Sequence, residues 1–360
     1  MRRRIARAST ARLRETKARK VNKTMKKILL LATGGTIASK PTAAGGLAPA
    51  ITSEELLSFV PELANLCEID AVQLFSLDST NVGPDQWRLL VHAIRENYTA
   101  YDGFVIAHGT DTMAYTAAAL SYLIQYSPKP IILTGAQKPI LFENTDSKTN
   151  LLDAFRVAVS DLCGVVIVFN GRVILGTRAR KTHTTSLQAF SSINYPSLAV
   201  LQNGFLMEYI RPTSLPAPIF YSKINEHVGL MKMIPGADCG LLSYLLEHND
   251  AVIVESYGVG GLPSYQGSGF FDVIKNGIEQ GKTIVMTTQV QNEGSNLAVY
   301  DVGFHLKNDL HLLEAYDMTT EAAVAKLMWI LGQTDDPTEV RRLFCTPVSH
   351  DLLYLKEEER

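Results

Sequence analysis

The sequence is poor in cysteine and contains no long apolar run. Its four cysteines, Cys67, Cys163, Cys239 and Cys345, lie far apart and form no Cys-x-x-Cys pair. This spacing suggests neither a zinc site nor a disulfide framework, so we predict no metal and a reducing, cytoplasmic environment. No stretch approaches the roughly 20 apolar residues that span a membrane, so we predict no membrane partner.

Charge is unevenly distributed, although the net charge is only −2. Residues 1–24 contain ten Lys and Arg and one acid, whereas residues 25–360 contain 24 basic and 35 acidic residues. We predict that residues 1–24 are a basic tail that is disordered or a misassigned start, because Met25 leads almost directly into an apolar run. A transit peptide and a nucleic-acid-binding arm are the alternatives, and a nucleic-acid partner is not favoured.

Apolar, strand-like runs alternate with helical patterns from residue 28 onward. This alternation predicts an α/β fold whose larger N-terminal domain, residues 25–190, has a mostly parallel sheet covered on both faces. The strands of this domain are expected at 28–33, 69–75, 103–108, 130–134 and 164–169. Its helices are expected at 53–60, 84–98, 112–125 and 149–161.

Residues 191–226 break the alternation. This part of the chain has no sustained period and contains Pro196, Pro212, Pro216 and Pro218, so we predict a linker between domains. A smaller C-terminal α/β domain is expected over residues 227–360. Its predicted strands are 228–233, 251–255 and 283–287, and its predicted helices are 238–247, 269–279, 319–332 and 337–344.

Two glycine loops that carry threonine follow directly on apolar runs. The first reads TGGT at 33–36 and the second reads HGTDT at 108–112. The crevice outside the carboxyl ends of parallel strands is where open α/β sheets bind ligands. We therefore expect both loops to contribute to one active site that contains hydroxyls, backbone N–H groups and a carboxylate.

The residues of these loops allow several interpretations. The first loop could hold phosphate, present Thr36 as a nucleophile, or serve only as a tight turn. Phosphate is disfavoured because the chain contains no Gly-x-Gly-x-x-Gly fingerprint. Asp111 could cap a helix or bind a cationic group such as an amino acid's ammonium. We expect His108 to be a hydrogen-bonded residue at a strand end rather than a base.

Three further polar clusters are expected near the same edge of the sheet. They read DSTN at 78–81, LTGAQK at 133–138 and GTRARKTHTT at 176–185. A lysine beside hydroxyl-bearing residues can deprotonate a hydroxyl when burial lowers the pKa of its ammonium group. We expect Arg178 and Arg180, in contrast, to be solvated charges on a loop.

Taken together, these segments resemble the bacterial-type L-asparaginases. TGGTIA at 33–38 and HGTDTMAYTA at 108–117 are similar to the two signature segments of that family. DST at 78–80, TGAQKP at 134–139, GTRARKTHT at 176–184 and ESYGVGG at 255–261 follow in the family's order. The detail looks closest to the type I, cytoplasmic branch. The resemblance implies an asparaginase-like two-domain fold, hydrolysis of L-asparagine to L-aspartate and ammonia, no metal or organic cofactor, and a homodimer or homotetramer.

The same resemblance implies roles for individual residues. Thr36 matches the family's nucleophile, and Thr110 matches its second essential threonine. Lys181 matches the lysine that, together with Asp111, supports Thr110. An acyl-enzyme on Thr36 is the expected intermediate.

Substrate-binding residues are carried over in the same way. Ser79 and Asp111 match the residues that hold the substrate's carboxylate and ammonium groups, and Thr80 borders the same pocket. Ala136 matches a residue whose backbone carbonyl lies near the side-chain amide. The Gly/Ala/Pro-rich segment 38–51 is a candidate lid, with a plain mobile loop as the alternative.

The chain departs from the family pattern at two places. Leu47 stands where many members carry a tyrosine that assists the nucleophile, and leucine cannot relay a proton. Val290 follows Thr288-Gln289, where some type I enzymes have the cysteine of an allosteric site. The resemblance therefore predicts neither the activator of Thr36 nor that kind of regulation.

Two other functions fit the same residues. One is the asparaginase-like subunit of a tRNA-dependent amidotransferase, which would supply ammonia to a partner and would give the basic tail a purpose. The other is a catalytically silent amino-acid-binding protein. The second is weakened because Thr36, Thr110, Asp111 and Lys181 are all present, which is more than binding requires.

Overall fold

The chain forms two α/β units of unequal size. A computed structural model describes residues 25–42, 45–263, 267–299, 307, 310 and 312–353. The predicted basic tail, residues 1–24, lies outside the described residues. The N-terminal unit is built on an eight-stranded sheet and the C-terminal unit on a four-stranded sheet. The predicted α/β class, with a larger and mostly parallel first domain, is confirmed.

The strands are short and most of them are apolar. In the N-terminal unit they are β1 (Lys27–Gly34), β2 (Ser39–Pro41), β3 (Leu47–Pro49), β4 (Glu68–Leu77), β5 (Gly103–Ala107), β6 (Ile124–Gln125), β7 (Pro130–Thr134), β8 (Gly164–Phe169), β9 (Arg172–Leu175), β10 (Ala179–Lys181), β11 (Phe190–Ser192), β12 (Ala199–Gln202), β13 (Phe205–Glu208) and β14 (Ile219–Phe220). In the C-terminal unit they are β15 (Val228–Lys232), β16 (Ala251–Ser256), β17 (Thr283–Thr288) and β18 (Leu313–Glu314).

Helices alternate with the central strands. They are α1 (Ser53–Ser58), α2 (Pro84–Asn97), α3 (Met113–Leu123), α4 (Ser147–Ala158), α5 (Cys239–His248), α6 (Phe270–Glu279), α7 (Thr320–Leu331) and α8 (Pro337–Cys345). Their starts follow the sequence signals. Thr52 and Glu55 form a capping box at α1, and Asp336 caps α8, which has proline in its first turn. No described helix is long and apolar enough to cross a membrane.

The large sheet has the order β13-β12-β9-β8-β7-β5-β1-β4. Strands β4, β1, β5, β7 and β8 run parallel, and β9, β12 and β13 complete the sheet with antiparallel pairings. Every residue of β5 and β7 is buried, as expected for strands covered on both faces. The carboxyl ends of β1, β5 and β7 therefore lie side by side at one edge.

The segment predicted to be a linker, residues 191–226, is partly built into the first unit. Strands β12 and β13 lie within it and extend the large sheet as an antiparallel hairpin. The sequence pattern did not predict these two strands, because each spans only four residues and prolines interrupt the surrounding chain. Of the irregular stretches that remain, residues 209–218 contain Pro212, Pro216 and Pro218.

The two units share a continuous apolar core on one face of the large sheet. Helix α3 packs against α7 of the C-terminal unit, and the ring of Tyr122 stacks on Trp329 at a centroid distance of 5.9 Å. Buried side chains from both units belong to this cluster. A second cluster, under α1 and α4, covers the other face of the sheet. The units are thus held together by apolar packing as well as by the chain.

The segment proposed as a lid, residues 38–51, contains β2 and β3, which pair as an antiparallel hairpin with Lys40 opposite Ala48. Residues 43–44 at its turn lie outside the described residues. The Lys40 Nζ lies 3.2 Å from Glu55 Oε2 of α1, which ties the hairpin to the body. The hairpin begins directly after the first glycine loop, so its position near the sheet edge follows from the chain. That it acts as a lid stays a prediction.

Candidate active site

The two glycine loops touch through their backbones. A Cβ placed on Gly35, whose φ is +74°, would lie 2.3 Å from the Gly109 Cα, and a Cβ on Gly109 would lie 2.6 Å from the Ser79 Cβ. Only hydrogen fits in these gaps, so both positions require glycine for reasons of space, and Gly35 requires it by conformation as well. The loops after β1, β4 and β5 therefore meet at one point.

Thr36 begins a single 3-10 turn, Thr36–Ala38, at the end of the first loop. The Ser39 hydroxyl donates to the Gly35 carbonyl at 2.8 Å, and the Thr33 hydroxyl donates to the Ala107 carbonyl of β5 at 2.9 Å. Thr36 itself is half-buried, and no other described residue offers its hydroxyl a hydrogen-bond partner. The loop is fixed by its neighbours while the Thr36 hydroxyl is left available.

Thr110, Lys181 and Asp111 form a connected group. The Lys181 Nζ donates to Thr110 Oγ1 at 2.8 Å and lies 2.6 Å from Asp111 Oδ1. Thr110 is buried at 4% exposure, while the side chain of Asp111 is 54% exposed. The lysine therefore reaches from a partly buried position to both residues, and the carboxylate remains open to a solute. The structure thus brings together the three residues that the family resemblance groups, and their catalytic roles stay a prediction.

Gln137, which sequence reasoning missed, anchors Thr110 to the loop after β10. Its Oε1 accepts a long hydrogen bond from Thr110 Oγ1 at 3.4 Å, and its Nε2 donates to the carbonyls of Thr184 and Ser186 at 3.0 and 3.1 Å. The Gln137 backbone N–H donates to Asp146 Oδ2. The sequence signal that could have found it is its place in the TGAQK loop, where a long amide follows a glycine turn.

Ser79 connects the loop after β4 to the second glycine loop. The Ser79 Oγ accepts the Asp111 backbone N–H at 3.2 Å, and the Ser79 carbonyl accepts the Thr112 hydroxyl at 2.7 Å. Thr80 instead contacts Asp78, because its N–H and its hydroxyl both donate to Asp78 Oδ1. Ser79 is thus placed beside Asp111, and a role for Thr80 at the border of the pocket stays a prediction.

His108 is completely buried behind the second loop and is held at both ring nitrogens. Its Nδ1 lies 2.6 Å from the Gly109 carbonyl, which can only accept, so this nitrogen carries the proton. Its Nε2 then accepts from the Thr116 hydroxyl, which in turn accepts from Trp87 Nε1. Burial lowers the pKa of His108 to about 4, against a smaller opposing effect of the Gly109 carbonyl. His108 is a neutral hydrogen-bonded strand-end residue, as expected.

The loop after β7 completes the edge. A Cβ on Gly135 would lie 2.2 Å from the His108 carbonyl oxygen, so this loop also touches the second glycine loop. The neighbouring Ala136 is fully buried. Asn150 of α4 donates to the Gly135 carbonyl at 3.0 Å and to Asp146 at 3.1 Å, which holds the loop from behind.

The two arginines near Lys181 are not the solvated loop charges that the sequence predicted. Arg178 is fully buried and paired with Asp317 at 2.8 Å, and Arg180 is half-buried with its Nε 3.7 Å from Glu321 Oε1. Both acidic partners lie far along the chain, so local sequence could not indicate them.

Leu47 lies on the hairpin strand β3 and is 48% exposed. Its side chain contains only carbon and hydrogen, so it contributes no polar atom to the site. The expectation that it cannot relay a proton follows from its chemistry wherever the hairpin lies.

Metal-binding residues are not concentrated at this edge. Among the described residues, no group of three or more His, Cys, Asp or Glu is arranged to hold a metal ion. All four cysteines fall within the described residues, where none of them forms a disulfide, and Cys163 is buried as an apolar residue. The groups that these described residues bring to the edge include hydroxyls, the Lys181 ammonium, the Asp111 carboxylate, the Gln137 side-chain amide and backbone amides.

Known proteins share both units of the chain. The family model described as "Asparaginase, N-terminal" matches residues 27–212, and that of "Glutaminase/Asparaginase C-terminal domain" matches residues 227–344. An L-asparaginase of Thermococcus kodakarensis is 36% identical over 323 residues, which are 88% of this chain and 96% of the relative. One of the glutamyl-tRNA(Gln) amidotransferase subunits of Pyrococcus furiosus is 35% identical over 333 residues, which are 89% of this chain and 75% of the relative.

Solved structures agree with this relationship. The thermostable L-asparaginase from Thermococcus kodakarensis superposes with a TM-score of 0.85 at 35% identity, covering 91% of this chain and all of that one. The shared architecture includes both α/β units.

Proposed function

Because the chain belongs to the asparaginase family, we propose that it is an amidohydrolase that converts L-asparagine to L-aspartate and ammonia. The observation that supports this activity best is the Thr110–Lys181–Asp111 group beside the contact between Gly35 and Gly109. A hydroxyl, an ammonium and an open carboxylate lie together at a water-accessible edge, next to the first glycine loop, which carries Thr36. Binding alone would not require the lysine to contact a threonine hydroxyl.

Substrate would be held by its charged end. The exposed Asp111 carboxylate would bind the ammonium group of asparagine, and Ser79, which contacts the Asp111 backbone, would bind its carboxylate. Thr80 would border this pocket and the Ala136 carbonyl would face the side-chain amide. Fixing the amino-acid end positions the amide carbon against a threonine hydroxyl, which reduces the entropic part of the barrier.

Thr36 would be the nucleophile. Its oxygen would bond to the amide carbon, the C–N bond would break, and ammonia would leave with the proton that the hydroxyl released. Water would then cleave the aspartyl ester and restore Thr36. Backbone N–H groups of the glycine loops can stabilise the oxyanion, and one such donor is worth ~3 kcal/mol in known cases.

Thr110 and Lys181 would assist from the second loop. Because Lys181 donates to Thr110 Oγ1, the pair can transfer a proton towards the departing amine or from the attacking water. Leu47 cannot contribute to this transfer. The group that receives the Thr36 proton is therefore sought among water and the residues of the second loop rather than on the hairpin.

A second candidate function has one observation in its favour. The relative from Pyrococcus furiosus, 35% identical, is named as part of a glutamyl-tRNA(Gln) amidotransferase. A chain of that kind would release ammonia for a partner protein rather than as a product. No comparable observation favours the third candidate, a catalytically silent amino-acid-binding protein.

Ammonia release separates these functions. The purified chain is incubated with L-asparagine or L-glutamine over a range of concentrations, with and without glutamyl-tRNA(Gln). Steady turnover of asparagine without tRNA supports the proposal, and turnover that requires tRNA supports the amidotransferase role. Binding of asparagine without any turnover would contradict both.

The covalent route is tested separately. Rapid acid quenching during turnover, followed by peptide mass spectrometry, is expected to find an aspartyl ester on Thr36. Turnover without any such ester would overturn the acyl-enzyme while leaving the hydrolase assignment intact.

Three further proposals concern the whole protein. We propose a homodimer or homotetramer, a cytoplasmic location, and catalysis without a metal or organic cofactor. Light scattering after size-exclusion chromatography measures the first. Activity after exhaustive dialysis against a chelator tests the last, and a loss that added metal restores would contradict it.

A further inference from the structure

The residues that follow the last helix pack back onto the N-terminal unit. This segment, residues 346–353, is called the C-terminal strap below. The Thr177 hydroxyl donates to the Ser349 carbonyl at 2.7 Å, and the Arg178 Nε donates to the His350 carbonyl at 2.6 Å. The strap therefore reaches the segment that leads into β10, the strand that carries Lys181.

Arg178 is the centre of this contact. It is fully buried, and its guanidinium donates to the Asp317 carbonyl at 2.7 Å and to Asp317 Oδ2 at 2.8 Å. The other oxygen of that carboxylate accepts the Leu353 backbone N–H at 3.0 Å. Each of the three guanidinium nitrogens thus has an acceptor, two of them on the C-terminal unit before the strap and one on the strap.

The backbone at Arg178 is fixed as firmly as the side chain. The Arg178 N–H donates to Leu175 and its carbonyl accepts from Ile193 at 2.8 Å. Two residues separate Arg178 from Lys181, and side chains alternate between the faces of a strand. Arg180 accordingly extends towards Glu321 of the C-terminal unit, while Lys181 extends towards Thr110. A shift at Arg178 would therefore displace the lysine.

Stability alone does not account for such a pair. Replacing a fully buried ion pair by apolar residues is often neutral or stabilising, because burial removes both charges from water. A second pair of the same kind joins Lys326 of α7 to Asp351 of the strap at 2.8 Å, and all four side chains are fully buried. The Arg178 pair lies beside the strand of Lys181, whereas the Lys326 pair holds the strap to α7.

We propose that Arg178, held by Asp317 and the C-terminal strap, is a positioning residue that sets the place of the Lys181 ammonium relative to Thr110 and Asp111. The assignment rests on the hydrolysis proposed above. It makes the C-terminal unit part of the catalytic apparatus without requiring it to touch the substrate.

An ion pair away from the strap, Arg156 with Asp153 at 2.9 Å on α4, offers a matched control. Arg178→Met with Asp317→Asn removes the first pair, and Arg156→Met with Asp153→Asn removes the control pair, and neither double variant leaves an unpaired buried charge. Displacing a catalytic group by about 1 Å can cost about 100-fold in rate, so we expect kcat on asparagine to fall about 10- to 100-fold in the first variant and less than about threefold in the second. KM should change less than kcat, because Ser79 lies on another loop and holds the Asp111 backbone independently of Lys181. Arg178→Lys should recover part of the loss.

Crystal structures of the two double variants provide a readout that does not depend on turnover. In the first, the Lys181 Nζ should no longer lie within hydrogen-bond distance of Thr110 Oγ1. In the second, the bond should keep its present 2.8 Å. Equal losses of kcat in both variants, or an unmoved lysine in the first, would overturn the positioning role. If the unmodified chain releases no ammonia, the proposed function fails, and the crystal structures still decide where Arg178 holds Lys181.

Discussion

The two glycine loops that meet at the site are held in different ways. The second loop is tied by side chains: Lys181 and Gln137 bond to Thr110, and His108 bonds to the Gly109 carbonyl. The first loop is held by its own neighbours and by close packing of Gly35 on Gly109, and its Thr36 hydroxyl has no partner among the other described residues. One half of the site is assembled before substrate arrives, and the other leaves its hydroxyl unengaged.

This difference suits the two roles proposed for the threonines. A nucleophile must move towards the amide carbon and accept new bonds, so a hydroxyl without fixed partners costs little to reorient. An acid–base group must already be placed and oriented, which is what Lys181 and Gln137 provide. Substitutions in each loop can show whether the two halves differ as described.

Removing either hydroxyl should have the largest effect. Thr36→Ala and Thr110→Val are each expected to lower kcat by roughly 10⁴-fold or more, because members of a catalytic group act as a unit. Ammonia release measures the rate, and circular dichroism checks the fold. Thr99→Ala, at an exposed position away from the site, is the control and should be unaffected. A near-normal rate in either variant would remove that threonine from the mechanism.

Adding one carbon where the loops touch should be nearly as damaging. Gly35→Ala combines a φ of +74° with a contact of 2.3 Å to Gly109 and should destabilise the fold by about 3–5 kcal/mol. Gly164→Ala has a φ of +78° but nothing within 4 Å, so it should cost only about 1–2 kcal/mol. Urea unfolding measures both. Equal losses of unfolding free energy in the two variants would mean that the first loop can move away from the second.

His108, in the second loop, should make the free energy of unfolding depend on pH. Its pKa is about 4 in the folded state, below the 6.5 of an exposed histidine, so the unfolded chain binds more protons between these values. The free energy of unfolding should therefore fall by about 3 kcal/mol as the pH drops from about 6.5 to 4. Urea titrations at several pH values measure the slope. The slope should be smaller in His108→Gln and unchanged in His92→Gln, which alters an exposed histidine.

Gln137 should have a smaller effect on rate. Gln137→Leu removes the bonds to the carbonyls of Thr184 and Ser186, so Thr110 loses its second contact and kcat should fall about tenfold, or ~1.4 kcal/mol. Gln73→Leu is a matched control, because Gln73 Nε2 donates to two carbonyls beside the first loop's strand. A comparable loss of kcat in Gln73→Leu would show that the first glycine loop also depends on side-chain hydrogen bonds.

Leu47 should have the least effect. Leu47→Ala changes a side chain that is 48% exposed and carries no polar atom, so kcat should stay within about twofold. Steady-state kinetics on asparagine provide the measurement. A large loss would mean that the hairpin closes over Thr36 through this apolar side chain.

The sequence predicted the elements that are governed by local pattern. The fully buried runs of β5 and β7 are continuous apolar stretches, and the glycine loops follow them directly. Strands β12 and β13 were missed because four residues are too few to establish an alternation. Their place in the sheet is decided by pairing with β9.

The site was predictable to the extent that motifs carry it. The contact of Lys181 with Thr110 and Asp111 followed from the family resemblance. The burial of Arg178 did not, because its partner Asp317 lies 139 residues further along the chain. An arginine surrounded by polar residues in a loop looks solvated until a distant carboxylate is folded against it. Ion pairs between residues that are far apart in the chain cannot be predicted from the local sequence.

The C-terminal strap also determines when, during synthesis of the chain, Arg178 can reach its hydrogen-bond acceptors. The Ser349 carbonyl that bonds to Thr177 lies 172 residues later in the chain. At the usual pace of translation, of about 5–20 residues per second, the ribosome needs roughly 10–30 s to make the intervening chain. The large sheet can collapse meanwhile, but Arg178 then lacks its acceptors. A nascent chain is therefore expected to stay inactive until the strap has left the ribosome, so the cell would gain activity only from protein whose synthesis has passed that point.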